Sequence, residues 1–414
     1  MSKGGSLPLL AFSRFGAGVA NMVYAGSLPV LIEAWRMTGV EAGSIQATFN
    51  LCYAISLLLC SWASDHVGAR RVFVAANWLS ALAFLACALF ARSHESGLIL
   101  FGLLALALGG SYTPAIILVS EATAPTRRGS AIGLLLTGSS LGYFVAIAAC
   151  AGLAQVWGAP TLWLLLSSVP LLAAIAGSLG ARKLSAPGPA IAGQGSVTKA
   201  LLSRNSVLLT TGYTAHCWEL LGMWAWMPAF LTFVLAGTSI LSPLALGLLI
   251  AAALHLSGAA STMAGGWASD RWGRKATLIG MAAAGALLSL VIGWSTALPT
   301  IVVLVLAFLY GFAALGDSGV LSTAMADAVP AGQLGRLLAL RSILGFGAGA
   351  LSPLAFGWIL DLTNPPGALP SQWGWAFTML AAGGILATLA AWFLNTGTAR
   401  AAVRIAPDAG AGDR

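Results

Sequence analysis

Apolar residues fall into twelve runs, each close to the length that crosses a bilayer as a helix, about 20 residues. The predicted spans are 8–35, 40–62, 72–91, 96–120, 130–156 and 159–180, then 206–235, 243–267, 276–295, 298–327, 337–361 and 372–394. None shows the period-two alternation of a membrane barrel, and backbone polar groups in lipid must be satisfied internally, so the runs predict helices. The expected fold is an all-α integral membrane protein of about twelve transmembrane helices in two pseudo-symmetric six-helix halves. The first half takes residues 1–181 and the second 206–396. Between them, 182–205 is polar, carries Arg182, Lys183, Lys199 and Arg204, and is punctuated by Pro187-Gly188-Pro189 and Gly193-Gln194-Gly195. It reads as a linker. Residues 397–414 lack apolar periodicity and read as a tail. The first run has no small-residue cleavage site and is expected to stay in place rather than act as a cleavable signal.

The polar breaks contain a repeat. Trp62-Ala63-Ser64-Asp65-His66-Val67-Gly68-Ala69-Arg70-Arg71 returns as Trp267-Ala268-Ser269-Asp270-Arg271-Trp272-Gly273-Arg274-Lys275, 205 residues later in a chain of 414. A repeat half a chain apart, in the same hydropathy context, indicates internal duplication.

Composition supports the membrane reading and narrows the function. Charged residues make up 8% of the chain and hydrophobic residues 58%, whereas a soluble domain carries about 25% charged residues. The net charge of +8 suggests an acidic partner until its distribution is considered. Arg70, Arg71, Arg127, Arg128, Arg274, Lys275 and the linker cations fall in alternate loops, and the intervening loops hold only Arg36 and Arg92. That bias is the positive-inside pattern, which predicts cytoplasmic termini and an even number of spans and leaves no call for nucleic acid. Cys52, Cys60, Cys87, Cys150 and Cys217 all lie in apolar runs without metal-ligand spacing and read as small packed hydrophobes. A bacterial inner membrane is the expected location.

Twelve spans in two halves, with G-x-x-x-D-x-x-G-x-[RK]-[RK] after spans 2 and 8, resemble the major facilitator superfamily. The second copy matches at Gly266, Asp270, Gly273, Arg274 and Lys275; the first has Ser61 for the leading glycine, then Asp65, Gly68, Arg70 and Arg71. Glu121, Pro125, Arg127, Arg128 and Gly129 after span 4 resemble another loop of that family. The chain departs from common patterns at Ala105, where many members carry Arg, and at Gly138-Ser139-Ser140-Leu141-Gly142, which lacks the antiporter proline. The resemblance implies that Asp65 and Asp270 cap neighbouring helices and close the cytoplasmic side in the outward-facing state. Glycine-rich stretches in spans 5 (Gly129, Gly133, Gly138, Gly142) and 11 (Gly345, Gly347, Gly349) fit surfaces that rock against each other.

Ionisable residues inside a span are costly and therefore candidate functional groups. Glu219 near the middle of span 7, with His216 one turn earlier, and Asp317 in span 10 are the expected proton-coupling groups. Arg14 and Arg341 offer planar forks to an anion. The 205-residue offset maps Arg14 onto Glu219. His255 reads equally well as a packed side chain. Asn21 and Tyr24, Asn50 and Tyr53, then Tyr112, Tyr143, Trp218, Trp224 and Tyr310 could line a cavity or face lipid. No nucleotide loop, metal cluster or catalytic triad is present, so neither an enzyme nor a cofactor is expected. The expected function is alternating-access transport of a small organic anion with protons, symport being favoured, by a monomer in a lipid bilayer. Proton-antiport efflux of amphipathic or cationic compounds and a non-transporting sensor or scaffold are the alternatives.

Overall fold

The computed structural model describes residues 6–124, 127–182, 184, 202–236, 242–329, 331–365 and 371–395; for 128–130 and 331–336 it describes the backbone. Twelve helices are long and apolar enough to cross a membrane. In the first half they are α1 (Ser6–Ala34), α2 (Gly39–Val67), α3 (Ala69–Phe90), α4 (His94–Ala122), α5 (Arg128–Trp157) and α6 (Ala159–Arg182). The second half holds α7 (Arg204–Leu235), α8 (Pro243–Trp272), α9 (Arg274–Ile292), α10 (Thr300–Ala328), α11 (Ala331–Thr363) and α12 (Gly374–Trp392). No strand occurs among the described residues. The predicted runs are thus recovered with ends shifted by a few residues. Of the expected linker, only Arg182, Leu184 and 202–205 are among the described residues, and the expected tail lies outside them.

Local sequence sets the helix ends. Thr38 and Glu41 form a reciprocal capping box at the start of α2, and Ser203 and Ser242 cap α7 and α8 through their side chains. The two motif copies make the same turn. Gly68 has φ 91° and Gly273 φ 89°, a region that costs L side chains about 1–2 kcal/mol. Both α2–α3 and α8–α9 can therefore reverse within one residue.

Three spans are interrupted. Gly109–Ser111 form a 3-10 turn in α4, α10 breaks at Asp317, and Ala252–Leu256 form a π-turn in α8. The breaks beside Tyr112 and at Asp317 are separated by the repeat offset of 205 residues, so the duplication extends to helix irregularities.

The glycine stripes of α5 and α11 correct an expectation. A side chain at Gly138 or Gly142 would strike the α1 backbone, and one at Gly345 or Gly349 would strike Tyr213 or Leu221 on α7. These glycines bring helices together within a half, not across the halves. Close approach between halves uses others. Gly39 and Gly43 on α2 lie against Gly357 and Pro353 on α11, and Gly152 on α5 and Gly247 on α8 abut the opposing backbone. Three hydrogen bonds reinforce the α2–α11 contact. The Asp361 carboxylate accepts from Gly39 N–H (2.6 Å) and Val40 N–H (2.8 Å), and Asn50 Nδ2 donates to Gly349 O (3.0 Å). Apart from the mid-bundle Asn50–Gly349 bond, these contacts lie at the end of the bundle opposite the two motif turns, so the halves are sealed at that end. Outward-facing Leu59, Leu79, Phe90, Ile301 and Trp392 leave an apolar girdle suited to lipid.

Candidate functional site

A cavity of about 560 Å³ lies between the halves and runs from the sealed end toward the motif turns, reaching Ser61, Ile116, Leu338 and Ser342. The first half contributes Asn21, Asn50, Tyr53, Tyr112 and Tyr143, and the second Tyr213, Leu221, Trp224, Arg341 and Phe346. Aromatic rings from opposite halves meet at its upper end, Tyr53 with Phe346 at 5.9 Å and Tyr143 with Trp224 at 5.9 Å.

Among the described residues, Arg341 is the one charged side chain on this wall. Its Nη1 donates to Ser322 Oγ (2.9 Å), its guanidinium lies over the Tyr213 ring (4.3 Å), and its Nε has no partner among the described residues. Among those residues no carboxylate pairs with it. The guanidinium is thus positioned by neutral groups and meets no counter-charge among the described residues.

Arg14 lies behind the wall. It is buried in the first half, with Nε donating to Ser139 Oγ (3.0 Å), Nη1 to Ser111 Oγ (2.8 Å) and the guanidinium over Tyr112 (5.1 Å). Where span 4 has Ala105 in place of an arginine, the α1 guanidinium packs against the α4 turn instead.

The second half buries two acids, Glu219 and Asp317. His216 Nδ1 stands 2.8 Å from Asp317 Oδ1 as an ion-pair contact, although the angle leaves that oxygen without a well-formed hydrogen bond. His216 Nε2 and Ser318 Oγ share a hydrogen bond of 2.8 Å. Glu219 turns elsewhere, into a cradle made by two glycines. A methyl added at Gly285 or Gly384 would lie 3.1 Å or 2.7 Å from its carboxylate oxygens. Glu219 is 4% exposed and Oε1 has no partner among the described residues. This cluster lies off the cavity wall.

Of the residues expected to line a site, Asn21, Tyr53, Tyr112, Tyr143 and Arg341 do so. Arg14, Tyr24, Trp218 and Tyr310 do not. Tyr24 donates to Ala42 O (2.7 Å), Trp218 points at Met379 O (3.5 Å) and Tyr310 donates to Ser289 Oγ (3.0 Å), each inside its own half. Sequence reasoning missed Tyr213 and Phe346. Tyr213, Leu221 and Trp224 recur at helical spacing on one face of α7, a pattern that would have found the first.

At the motif end the loops bond within their own halves. Arg274 reaches Asp270 (3.1 Å), Asp327 (3.2 Å) and Ser269 (2.8 Å), Lys275 donates to Leu394 O (3.0 Å), and Arg70 to Leu184 O. Asp65 makes no hydrogen bond or ion pair among the described residues. Gly266 has open space where a side chain would go.

Comparison with known proteins agrees with this architecture. The model of the Major Facilitator Superfamily matches residues 10–258. A probable 4-methylmuconolactone transporter of Cupriavidus pinatubonensis is 31% identical over 29% of this chain and 28% of its own length. The inner membrane metabolite transport protein YgcS of Escherichia coli is 29% identical over 33% of this chain and 32% of its own length. The matched segments thus span less than a third of each curated relative. Among solved structures, a D-xylose–proton symporter superposes with a TM-score of 0.77 at 15% identity, covering 94% of this chain and 97% of that one. The chain belongs to the major facilitator superfamily and is a multi-pass membrane transporter, not an enzyme.

Proposed function

We propose that the protein carries a small organic anion across a bacterial inner membrane together with protons, by alternating access. The observation that carries this reading is the wall of the central cavity, where, among the described residues, Arg341 is the sole charge and no carboxylate faces it. A cationic or amphipathic cargo for efflux would need an acid on that wall. On the positive-inside reading the motif turns face the cytoplasm, and a conformation sealed at the opposite end by α2–α11 and α5–α8 is inward-facing. The relative named as a transporter of 4-methylmuconolactone, the inner-membrane metabolite transporter and the proton symporter fold support the same cargo type, membrane and coupling.

Coupling has a mechanical route through α7. One face of that helix puts Tyr213 and Trp224 on the cavity, while another carries His216 and Glu219 into the dry core of the second half. An ionised carboxylate there is costly, so a proton on the cluster changes which packing of α7 against α9, α10 and α12 is favoured. The anion on Arg341 and the proton on the cluster then bias one element from its two sides.

The test is substrate-driven proton movement into proteoliposomes containing a pH-sensitive dye, with a panel of organic anions and then of cationic amphiphiles. Anion-dependent acidification is expected. Arg341→Gln should raise the anion KM about 10- to 100-fold, since a hydrogen bond to a charged group contributes about 1.5–3 kcal/mol. Glu219→Gln should uncouple anion movement from protons. Proton movement driven by cations alone would refute the reading.

A further inference from the structure

On the motif side, the second half contains a vestibule of about 700 Å³ lined by Asp270, Arg274, Lys275 and Asp327. Behind it lies a gap of about 10 Å³ with Asp317 on its wall, room for about one water. The two voids share Leu209 of α7 and Leu394 beyond α12. With Leu278 and Leu321 these belong to one buried apolar cluster, so a neck of leucines parts the voids. Neither void shares a lining residue with the central cavity.

Small residues continue inward from the gap. Gly212, Ala282 and Ala387 line it on α7, α9 and α12. Gly285 and Gly384, each one turn further along α9 and α12, form the cradle of Glu219. Leu209 and Glu219 are ten residues apart, about 15 Å along α7. Asp317 stands between them at the α10 break, against His216. Both acids are 4% exposed; Glu219 Oε1 has no hydrogen-bond partner among the described residues, and Asp317 Oδ1 has only its ill-aligned contact with His216. Buried polar oxygens are normally satisfied, so two such atoms along one seam mark it as more than packing.

The architecture does not itself demand acids there. The 205-residue offset places Arg14 and Tyr112 at the corresponding positions of the first half, where the guanidinium lies over the ring. The same junction of first and fourth helix thus holds a cation on an aromatic face in one half and two carboxyl groups in the other.

We infer that the second half has its own proton entry, running from the vestibule through the leucine neck to Asp317 and on to Glu219, separate from the cargo cavity. A proton from vestibule water forms an O–H bond on the Asp317 carboxylate. That bond breaks as an O–H bond forms on Glu219, with water in the small-residue seam carrying the proton across. The other titratable or charged groups near the two acids are His216 and Cys217 on α7, Tyr310 on α10 and, through Ser322, Arg341 on α11. At this level α9 and α12 present leucine, alanine and glycine, and α8 presents Ser261. The route rests on the proton-coupling reading and deepens it: cargo filling the central cavity leaves the cluster open to protons from the motif side.

The test is time-resolved infrared spectroscopy of the full chain in lipid nanodiscs after light-triggered release of a proton. The carboxylic C=O band of Glu219 is identified by its loss in Glu219→Gln. A methyl at Gly212 would lie 3.7 Å from Ala390 and 3.8 Å from Leu321, ordinary contact distances, so this position accepts a side chain that fills the gap. Gly212→Val should slow the rise of the band by about tenfold or more without changing its final amplitude. Leu394→Ala, which widens the neck, should speed it, and Ser342→Trp, which narrows the mouth of the cargo cavity, should leave the rate unchanged. Slowing by Ser342→Trp with Gly212→Val at the wild-type rate would overturn the separate entry and route protons through the cargo cavity. A rate that none of the three substitutions moves would also overturn it. Absence of any pH-dependent Glu219 band in folded protein would overturn the proton-coupling reading itself.

Discussion

Asp317 holds His216 at 2.8 Å in a core where neither side chain meets water. Removing one partner of a buried polar contact strands the other, at a cost of about 1–3 kcal/mol. Asp317→Ala should therefore lower the thermal midpoint of the detergent-solubilised protein markedly. Asp317→Asn, which keeps an acceptor for the imidazole, should lose less; equal losses would show that the contact is not what holds His216. Intramembrane charges were legible in the sequence because they are expensive, but their directions were not. His216 and Glu219, three residues apart, read as one proton-coupling pair. Instead His216 meets Asp317 and Ser318 on α10, and Glu219 fits the gap left by Gly285 and Gly384. Lipid and protein core are both apolar, so the periodicity that marks the inner face of a soluble helix does not mark one here.

At the scale of helices, the outer seal has an identifiable brace. The Asp361 carboxylate from α11 caps the first two N–H groups of α2, a favourable place for negative charge. Loss of such a cap costs about 1 kcal/mol, so Asp361→Ala should shift the balance of sealed and open outer ends about fivefold toward open. Electron-spin distance measurements between labels on the outer ends of α2 and α11 would register this as growth of a longer-distance population, and an unchanged distribution would dismiss the brace. Two of the three helix breaks have visible sequence correlates, Gly109-Gly110 in α4 and Gly316-Asp317-Ser318-Gly319 in α10. The π-turn has none, since Ala252-Ala253-Leu254-His255-Leu256 resembles any other apolar helical stretch.

For the whole molecule, hydropathy revealed twelve helices because bilayer thickness imposes their length, and the 205-residue repeat revealed two halves. Which end is closed was not legible, because one sequence must support every state of the cycle and Asp65 can engage in one while standing free in another. Locking the halves tests the cycle directly. A disulfide joining cysteines placed at Val40 and Asp361, which meet at the seal, should abolish exchange across proteoliposomes yet leave ligand binding from the motif side, with reductant restoring transport. Undiminished exchange in the cross-linked protein would mean that the halves do not rock about this contact. The seal also affects how this protein can vary over evolutionary time. At Gly39, Gly43, Gly152, Gly247 and Gly357 the opposing atoms are main-chain, carbonyl oxygens among them, and these are identical whatever residue supplies them. An alanine scan of these glycines would therefore detect the closure as harm from added bulk. Surrounding side chains are free to diverge toward new cargoes while the door goes on shutting in the same way.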